Sequence, residues 1–149
     1  MGIFDIFKKK PKFVDELFGE LGYTKFKDSS KNFYDGQVNF QGNLIGINID
    51  ADENGPTNEQ KEFFKKLNTD YNKIKENIIL PFLKDELEDN IEDAGLNNFD
   101  NEFEFDGISI GRIENEKTEW SITYDSKPMR HYVSIDFEGM KPKYMTIDG

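Results

Sequence analysis

Cysteine is absent from this 149-residue sequence, and its absence excludes disulfides, thiolate nucleophiles and thiolate metal sites. Histidine occurs once, at His131, so a metal site that needs two histidine ligands is excluded as well. The sequence also has no G-K-[ST] phosphate loop and no serine within a G-x-S-x-G turn. We therefore expect a protein without a cofactor and without enzymatic activity.

Long apolar runs are also missing. No stretch approaches the roughly 20 apolar residues that cross a bilayer, and the first residues lack the basic start and extended apolar core of a signal peptide. This predicts a cytoplasmic protein. All the Lys and Arg residues are lysine except Arg112 and Arg130. This preference for lysine, together with abundant Asn and Ile, is typical of AT-rich bacterial coding.

Positive charge is scarce, since 19 Lys and Arg stand against 30 Asp and Glu and the net charge is −11. A surface that binds nucleic acid replaces counterions with Lys and Arg, so this balance argues against DNA or RNA as a partner. The exception is the amphipathic start, where Phe4 and Phe7 precede three lysines. We favour docking or fraying of this segment over membrane binding, because one short segment binds membranes weakly.

Aromatic residues are plentiful, with fourteen Phe, six Tyr and one Trp. Each buries about 150–250 Å², and a chain of this length can bury roughly 68–70% of its unfolded surface. We therefore expect residues 1–149 to form a single domain with an aromatic-rich core. Its N-terminal part, residues 1–11, is the basic, amphipathic segment.

The first third of the chain predicts a short helix and a β-hairpin. Apolar residues recur at helical spacing over Lys12–Leu21, and Gly22 stands where a C-terminal cap glycine belongs. Two alternating segments, residues 34–40 and 45–49, flank Gly42 and Asn43, which suit a tight hairpin turn.

The remainder predicts a long helix followed by strands. Thr57 and Gln60 form a capping box at the start of a helix whose apolar stripe extends to about Asp89, and Pro81 predicts a kink near Ile79. The strands predicted after it are Phe103–Phe105, Ile108–Ile113, Trp120–Tyr124, Tyr132–Phe137 and Tyr144–Ile147. The fold class is α+β: an antiparallel sheet, made of an N-terminal hairpin and a C-terminal meander, with one short helix and one long, proline-kinked helix packed on one face.

A calcium-like loop is the most specific chemical motif. Asp50, Asp52 and Asn54, followed by Gly55, match the opening of a calcium-binding loop, but its closing glutamate is replaced by Lys61. The alternative, which we favour, is a turn whose acids and amides suit a helix N-terminus.

His131 is in register with Val133 and Ile135 at the start of a predicted strand. This register favours a partly buried histidine with a structural role over a catalytic one.

An acidic block is the largest electrostatic feature, because no Lys or Arg occurs between Asp85 and Asp106. Within it, the residues predicted to contact a basic partner are Asp85, Glu86, Glu88, Asp89, Glu92, Asp93, Asp100 and Glu102. The alternative is a solvated surface that keeps the protein soluble.

A resemblance gives this prediction a concrete form. The hairpin end Ile47–Asp50, the Gly55–Gln60 segment that opens the long helix, the Trp120 strand and the closing Tyr144–Gly149 together resemble uncharacterised bacterial domains of about this size. Some of them are immunity-like proteins encoded beside polymorphic toxins, and the resemblance implies a stoichiometric toxin inhibitor. The oligomeric state stays open.

The alternative function is a small enzyme or ligand-binding domain that uses the solvent-facing side of the sheet. Its lining residues would be Ser121, Thr123, Tyr132, Ser134 and Asp136.

Overall fold

A computed structural model of the protein describes residues 11–149. They form an eight-stranded sheet in which the spatial order of the strands is their order in the chain. The strands are β1 (Lys12–Asp15), β2 (Gly19–Thr24), β3 (Phe33–Phe40), β4 (Asn43–Asp50), β5 (Phe103–Ile110), β6 (Glu119–Ser126), β7 (His131–Glu138) and β8 (Lys141–Asp148). The amphipathic segment predicted at the N-terminus lies outside the described residues, apart from residue 11.

The first described segment is a β-hairpin, so the helix predicted over Lys12–Leu21 is wrong. β1 and β2 pair antiparallel, and β2 continues the sheet onto β3. Between them, the Asp15 carboxylate accepts hydrogen bonds from the backbone N–H groups of Leu17 and Phe18, at 2.8 and 2.9 Å. Val14, which the helical pattern placed on the apolar stripe, is 79% exposed. Pairing with a neighbouring strand outweighs the weak local helix propensity of this segment.

β3 and β4 form the predicted hairpin. Phe40 and Asn43 are the last paired residues, and the loop between them consists of Gln41 and Gly42. Both loop residues have left-handed φ angles, 54° and 77°, as a type I′ turn requires. The turn therefore lies one residue earlier than the sequence suggested.

The predicted capping box begins α1 (Asn58–Ile74). The Gln60 N–H donates to Thr57 Oγ1 at 3.2 Å, and the Thr57 N–H donates to Gln60 Oε1 at 2.9 Å. The Gln60 side chain also donates from Nε2 to the carbonyl oxygens of Asp50 and Gly111, at 2.8 and 2.9 Å. It therefore fixes the start of the helix to the ends of β4 and β5.

The predicted irregularity before Pro81 is a π-helical turn over Lys75–Ile79, which joins α1 to α2 (Leu80–Leu87). A proline inside a helix has no N–H to donate and its ring crowds the preceding turn, so a wider turn at this point accommodates it. The chain then continues through two 3₁₀ turns into the short helix α3 (Phe99–Glu102). The short helix of the fold thus follows the long one.

β5 has a pairing that the sequence did not predict, because it lies parallel to β4. α1 and α2 are consequently the crossover of a β-α-β unit. The two strands predicted as Phe103–Phe105 and Ile108–Ile113 are one strand, which ends at Ile110. This strand has a bulge at Asp106, so that the apolar residues before and after the bulge all face the core. β6, β7 and β8 form the predicted antiparallel meander.

The helices cover one face of the sheet. Phe64 of α1 packs on Phe40, with ring centroids 5.8 Å apart, and Tyr71 packs on Phe105 at 5.0 Å. The α+β class, with a mostly antiparallel sheet and one long and one short helix, is confirmed. Within residues 11–149, no helix has the length and apolar character needed to cross a membrane.

Candidate functional site

The face of the sheet opposite the helices, called the open face below, has no covering layer among residues 11–149. In β4 to β7, residues on this face, most of them polar or small, alternate with buried residues on the other. The exposed apolar exceptions are Leu44 and Tyr132. Strand register aligns one row of open-face residues from β3 to β8: Asp35, Asn48, Ser109, Ser121, Asp136 and Tyr144. A continuous polar row thus crosses six strands.

A groove of about 630 Å³ lies along this row. One end is at the carboxyl ends of the parallel strands β4 and β5, beside Asp50, and the other end is at Tyr144 on β8. Its floor includes the short polar side chains of Asn48, Ser109 and Ser121. Tyr144 is 70% exposed, so its ring is available to a bound molecule.

The groove is strongly acidic. Its lining contains one ammonium group, that of Lys143, and four carboxylates, those of Asp50, Glu119, Asp136 and Glu138. Glu119 and Glu138 are direct cross-strand partners, an arrangement in which like charges destabilise a sheet. Lys143 Nζ lies 3.8 Å from Glu138 Oε2, and Lys141 is the direct cross-strand partner of Glu138 on β8, so the two lysines offset part of this repulsion. A bound cation would relieve the rest.

The two ends of the groove differ in their electrostatics. Burial raises the pKa of Asp50, and the positive charge of Arg112 opposes this shift. Arg112 is itself held by a hydrogen bond from Nη2 to the carbonyl oxygen of Ser29, at 2.6 Å. The guanidinium group of Arg112 therefore offsets negative charge at the Asp50 end of the groove.

The residues predicted to line a site on the solvent-facing side of the sheet divide into two groups. Ser121 and Asp136 line the groove. Thr123 and Ser134 share a hydrogen bond of 2.7 Å in the adjacent row, and Tyr132 is exposed farther along β7. The structure therefore brings two of the five into the groove.

The acidic block lies on the helical side of the protein. Its predicted contact residues are in α2 (Asp85, Glu86), in the turns that follow (Glu88, Asp89, Glu92, Asp93) and in α3 (Asp100, Glu102). None of them lines the groove of the open face. The Asp100 carboxylate accepts hydrogen bonds from Lys75 Nζ at 2.9 and 3.1 Å, and because Lys75 is buried, Asp100 neutralises an otherwise costly charge.

The calcium-like loop directs its oxygens to its own backbone and to a neighbouring tyrosine. Asp52 Oδ1 accepts the Asn54 N–H at 3.0 Å, and the Asp52 carbonyl oxygen accepts the Tyr34 hydroxyl at 2.6 Å. Lys61, at the closing position of the motif, pairs with Asp15 at 2.8 Å. Among residues 11–149, no group of three or more His, Asp or Glu side chains is arranged to hold a metal ion.

His131 is exposed, so the prediction that it is partly buried is wrong. Its register does match that of Val133, but it is the first residue of β7 and follows directly on the turn at residues 127–130. Its Nδ1 lies 2.6 Å from the carbonyl oxygen of Arg130. Its side chain therefore lies outside the hydrophobic core.

The sequence reasoning missed Asn48, Ser109, Glu119 and Tyr144 as site residues. Asn48, Ser109 and Glu119 each adjoin buried residues of their strands, and this alternation was visible in the sequence. Tyr144 gave no such signal, because β8 has no buried residue. What was missing was the parallel pairing of β4 and β5, which places the hairpin and the meander in one sheet and joins their polar rows.

Comparisons with protein-family models, curated proteins and solved structures find no match to this chain. The chemistry of the open face is therefore the basis for proposing a function.

Proposed function

We propose that the protein is a non-enzymatic, cytoplasmic binding domain whose open face docks a basic protein partner. The observation that carries this proposal is the groove with four carboxylates against one ammonium group, in which Glu119 and Glu138 face each other. A Lys or Arg side chain entering the groove relieves their repulsion, and the exposed ring of Tyr144 offers it a cation–π contact. Complementary charge also speeds association and disfavours wrong partners.

The most concrete form of the proposal is an immunity protein that neutralises a toxin. Such an inhibitor acts by occupying a surface of its target, so it needs no catalytic residues of its own. A toxin with a basic active-site cleft, such as a nuclease, presents the charge that this acidic groove complements. This form is also the one that the sequence resemblance to immunity-like domains led us to expect.

The experiment compares two charge-reversed variants in partner capture from the native host. Glu119→Lys with Asp136→Lys alters the open face, and Asp85→Lys with Glu86→Lys alters the acidic block by the same change in net charge. We expect the wild type and the acidic-block variant to retain a basic protein at submicromolar affinity, and the open-face variant to lose it. Circular dichroism establishes that both variants fold.

Two results would contradict the proposal. Absence of any basic partner at submicromolar affinity would remove the binding function. Loss of the partner from the acidic-block variant alone would move the interface to the helical side.

A second candidate function is the binding of a small cationic molecule in the groove, because a volume of about 630 Å³ falls within the range of ligand sites. Spermidine is a suitable probe. Its binding should raise the melting temperature of the wild type but not that of the Glu119→Lys, Asp136→Lys variant, whereas equal responses would exclude the groove as its site.

A further inference from the structure

We propose that β8 is a self-association edge, at which two copies of the chain pair antiparallel and join their sheets. This inference concerns the edge of the sheet rather than its open face, although Lys143 and Tyr144 belong to both, and it does not depend on the proposed function.

Within residues 11–149, β8 is an edge strand with a long stretch that lacks protection. It is eight residues long, whereas β1 at the opposite edge has four. An edge strand leaves alternate backbone N–H and C=O groups without a sheet partner, and proteins guard such edges with proline, lysine and bulges. In β8 these devices are confined to the start, at Lys141, Pro142 and the register shift near Lys143. The following segment, Tyr144–Asp148, has none of them.

Exposed apolar side chains concentrate at the same place. Of the seven large apolar side chains that are exposed among residues 11–149, four belong to the β7–β8 hairpin: Tyr132, Met140, Tyr144 and Ile147. Pairing along β8 would cover parts of this surface while completing the backbone hydrogen bonds.

The charges of β8 complement those of a second β8. Lys141 and Lys143 stand at its start and Asp148 at its end. In an antiparallel pair of identical strands, the lysine end of each copy meets the aspartate end of the other, so the favourable contact occurs twice. The net charge of −11 on each chain opposes association, but at physiological salt the Debye length is about 8 Å, and charges far from the edge are largely screened.

The symmetry of such a dimer has a consequence for the open face. Identical strands that pair antiparallel are related by a two-fold axis perpendicular to the sheet, which leaves both open faces on the same side. Because Lys143 and Tyr144 of β8 line the groove, the two grooves would approach each other at the seam. A dimer therefore has both acidic grooves on one side of a sixteen-stranded sheet, with eight strands from each copy.

The test is sedimentation velocity over a concentration series up to about 100 µM, a range that detects a micromolar dissociation constant. We expect the wild type to form dimers and Asp148→Lys, which sets lysine against lysine, to raise the dissociation constant at least about tenfold. Lys141→Glu and Lys143→Glu combined with Asp148→Lys restore opposite charges at the two ends and should restore the dimer. Asp93→Lys, an exposed change away from the edge, is the matched control and should leave the dimer intact.

Hydrogen exchange identifies the contact surface. Amides in the Tyr144–Asp148 segment should exchange more slowly as the protein concentration rises, while those of β1 should not change. The proposal would be overturned by a wild type that stays monomeric throughout the series or by a dimer that Asp148→Lys does not weaken. It would also be overturned by concentration-dependent protection of amides outside β8.

Discussion

The buried hydroxyl pair of Tyr71 and Tyr124 gives a quantitative test of the core. The two oxygens are 2.7 Å apart, and the residues are 4% and 1% exposed. Replacing either tyrosine with phenylalanine leaves the other hydroxyl buried without its partner, which costs about 1–3 kcal/mol, whereas removing both partners can be nearly neutral. We expect each single variant to lose about 1–2 kcal/mol, since a neighbouring cavity of about 230 Å³ has room for a water molecule that could partly compensate.

The double variant should lose at most about 1 kcal/mol, so the coupling free energy, which is the sum of the two single losses minus the double loss, is about 1–4 kcal/mol. Urea denaturation of the wild type, both single variants and the double variant measures each free energy of unfolding. Tyr71→Phe should be the more damaging single change, because it strands the more deeply buried hydroxyl. Additive losses in the double variant would refute the reasoning.

The same pair predicts alkaline sensitivity. Burial raises the pKa of both Tyr71 and Tyr124 above the usual value of 10. Unfolded tyrosines ionise near that value while the folded pair remains protonated, so its contribution to stability is complete below pH 10 and is lost as the pH rises through the raised pKa values. The double phenylalanine variant should therefore lose less stability than the wild type when the pH is raised above 10. Identical alkaline profiles would contradict this assignment.

Three further changes test how the chain is held together, each by urea denaturation. Gln60→Ala removes a helix cap and leaves two backbone carbonyls without their donor, so it should cost about 2–3 kcal/mol, against less than about 0.5 for the exposed control Glu59→Ala. Gly55→Ala combines a left-handed φ of 92° with a collision against an aromatic ring and should cost clearly more than Gly139→Ala, which has only the left-handed φ. Burial tends to raise the pKa of Asp15, but hydrogen bonds from a lysine and from the backbone of its turn hold this pKa below the usual 3.8. Asp15→Asn should therefore lower the free energy of unfolding by about 2 kcal/mol near neutral pH. This deficit should shrink as the pH falls below 3.8, because the wild-type carboxylate then becomes protonated. The role of Gln60 would be contradicted by a comparable loss in the Glu59→Ala control. The collision at Gly55 would be contradicted by equal losses for the two glycine variants. The role of the Asp15 charge would be contradicted by a deficit that does not change with pH.

Local signals predicted the elements whose stability is local. The turn at Gly42, the capping box at Thr57 and the irregular helix before Pro81 each depend on chemistry within a few residues. The pairing of the strands within the meander was also accessible, because short connections favour antiparallel neighbours. These features supported the correct fold class.

Long-range pairing determined what the sequence did not show. Residues 12–21 have apolar positions at helical spacing, yet they form strands because β3 offers an edge to pair with. The parallel contact between β4 and β5 joins segments separated by the whole helical crossover, and the sequence between them contains no local trace of it. The groove depends on that contact, since it brings Asn48 beside Ser109, and so only part of the site was predictable.

Mapping the contact surface of a basic ligand tests the central claim most directly. A short oligolysine peptide is titrated into the isotope-labelled protein, and the backbone amide shifts are followed by NMR. The account predicts the largest shifts at open-face residues such as Ser121, Asp136 and Tyr144. Shifts confined to the acidic block, at residues such as Glu86 and Asp93, would contradict it.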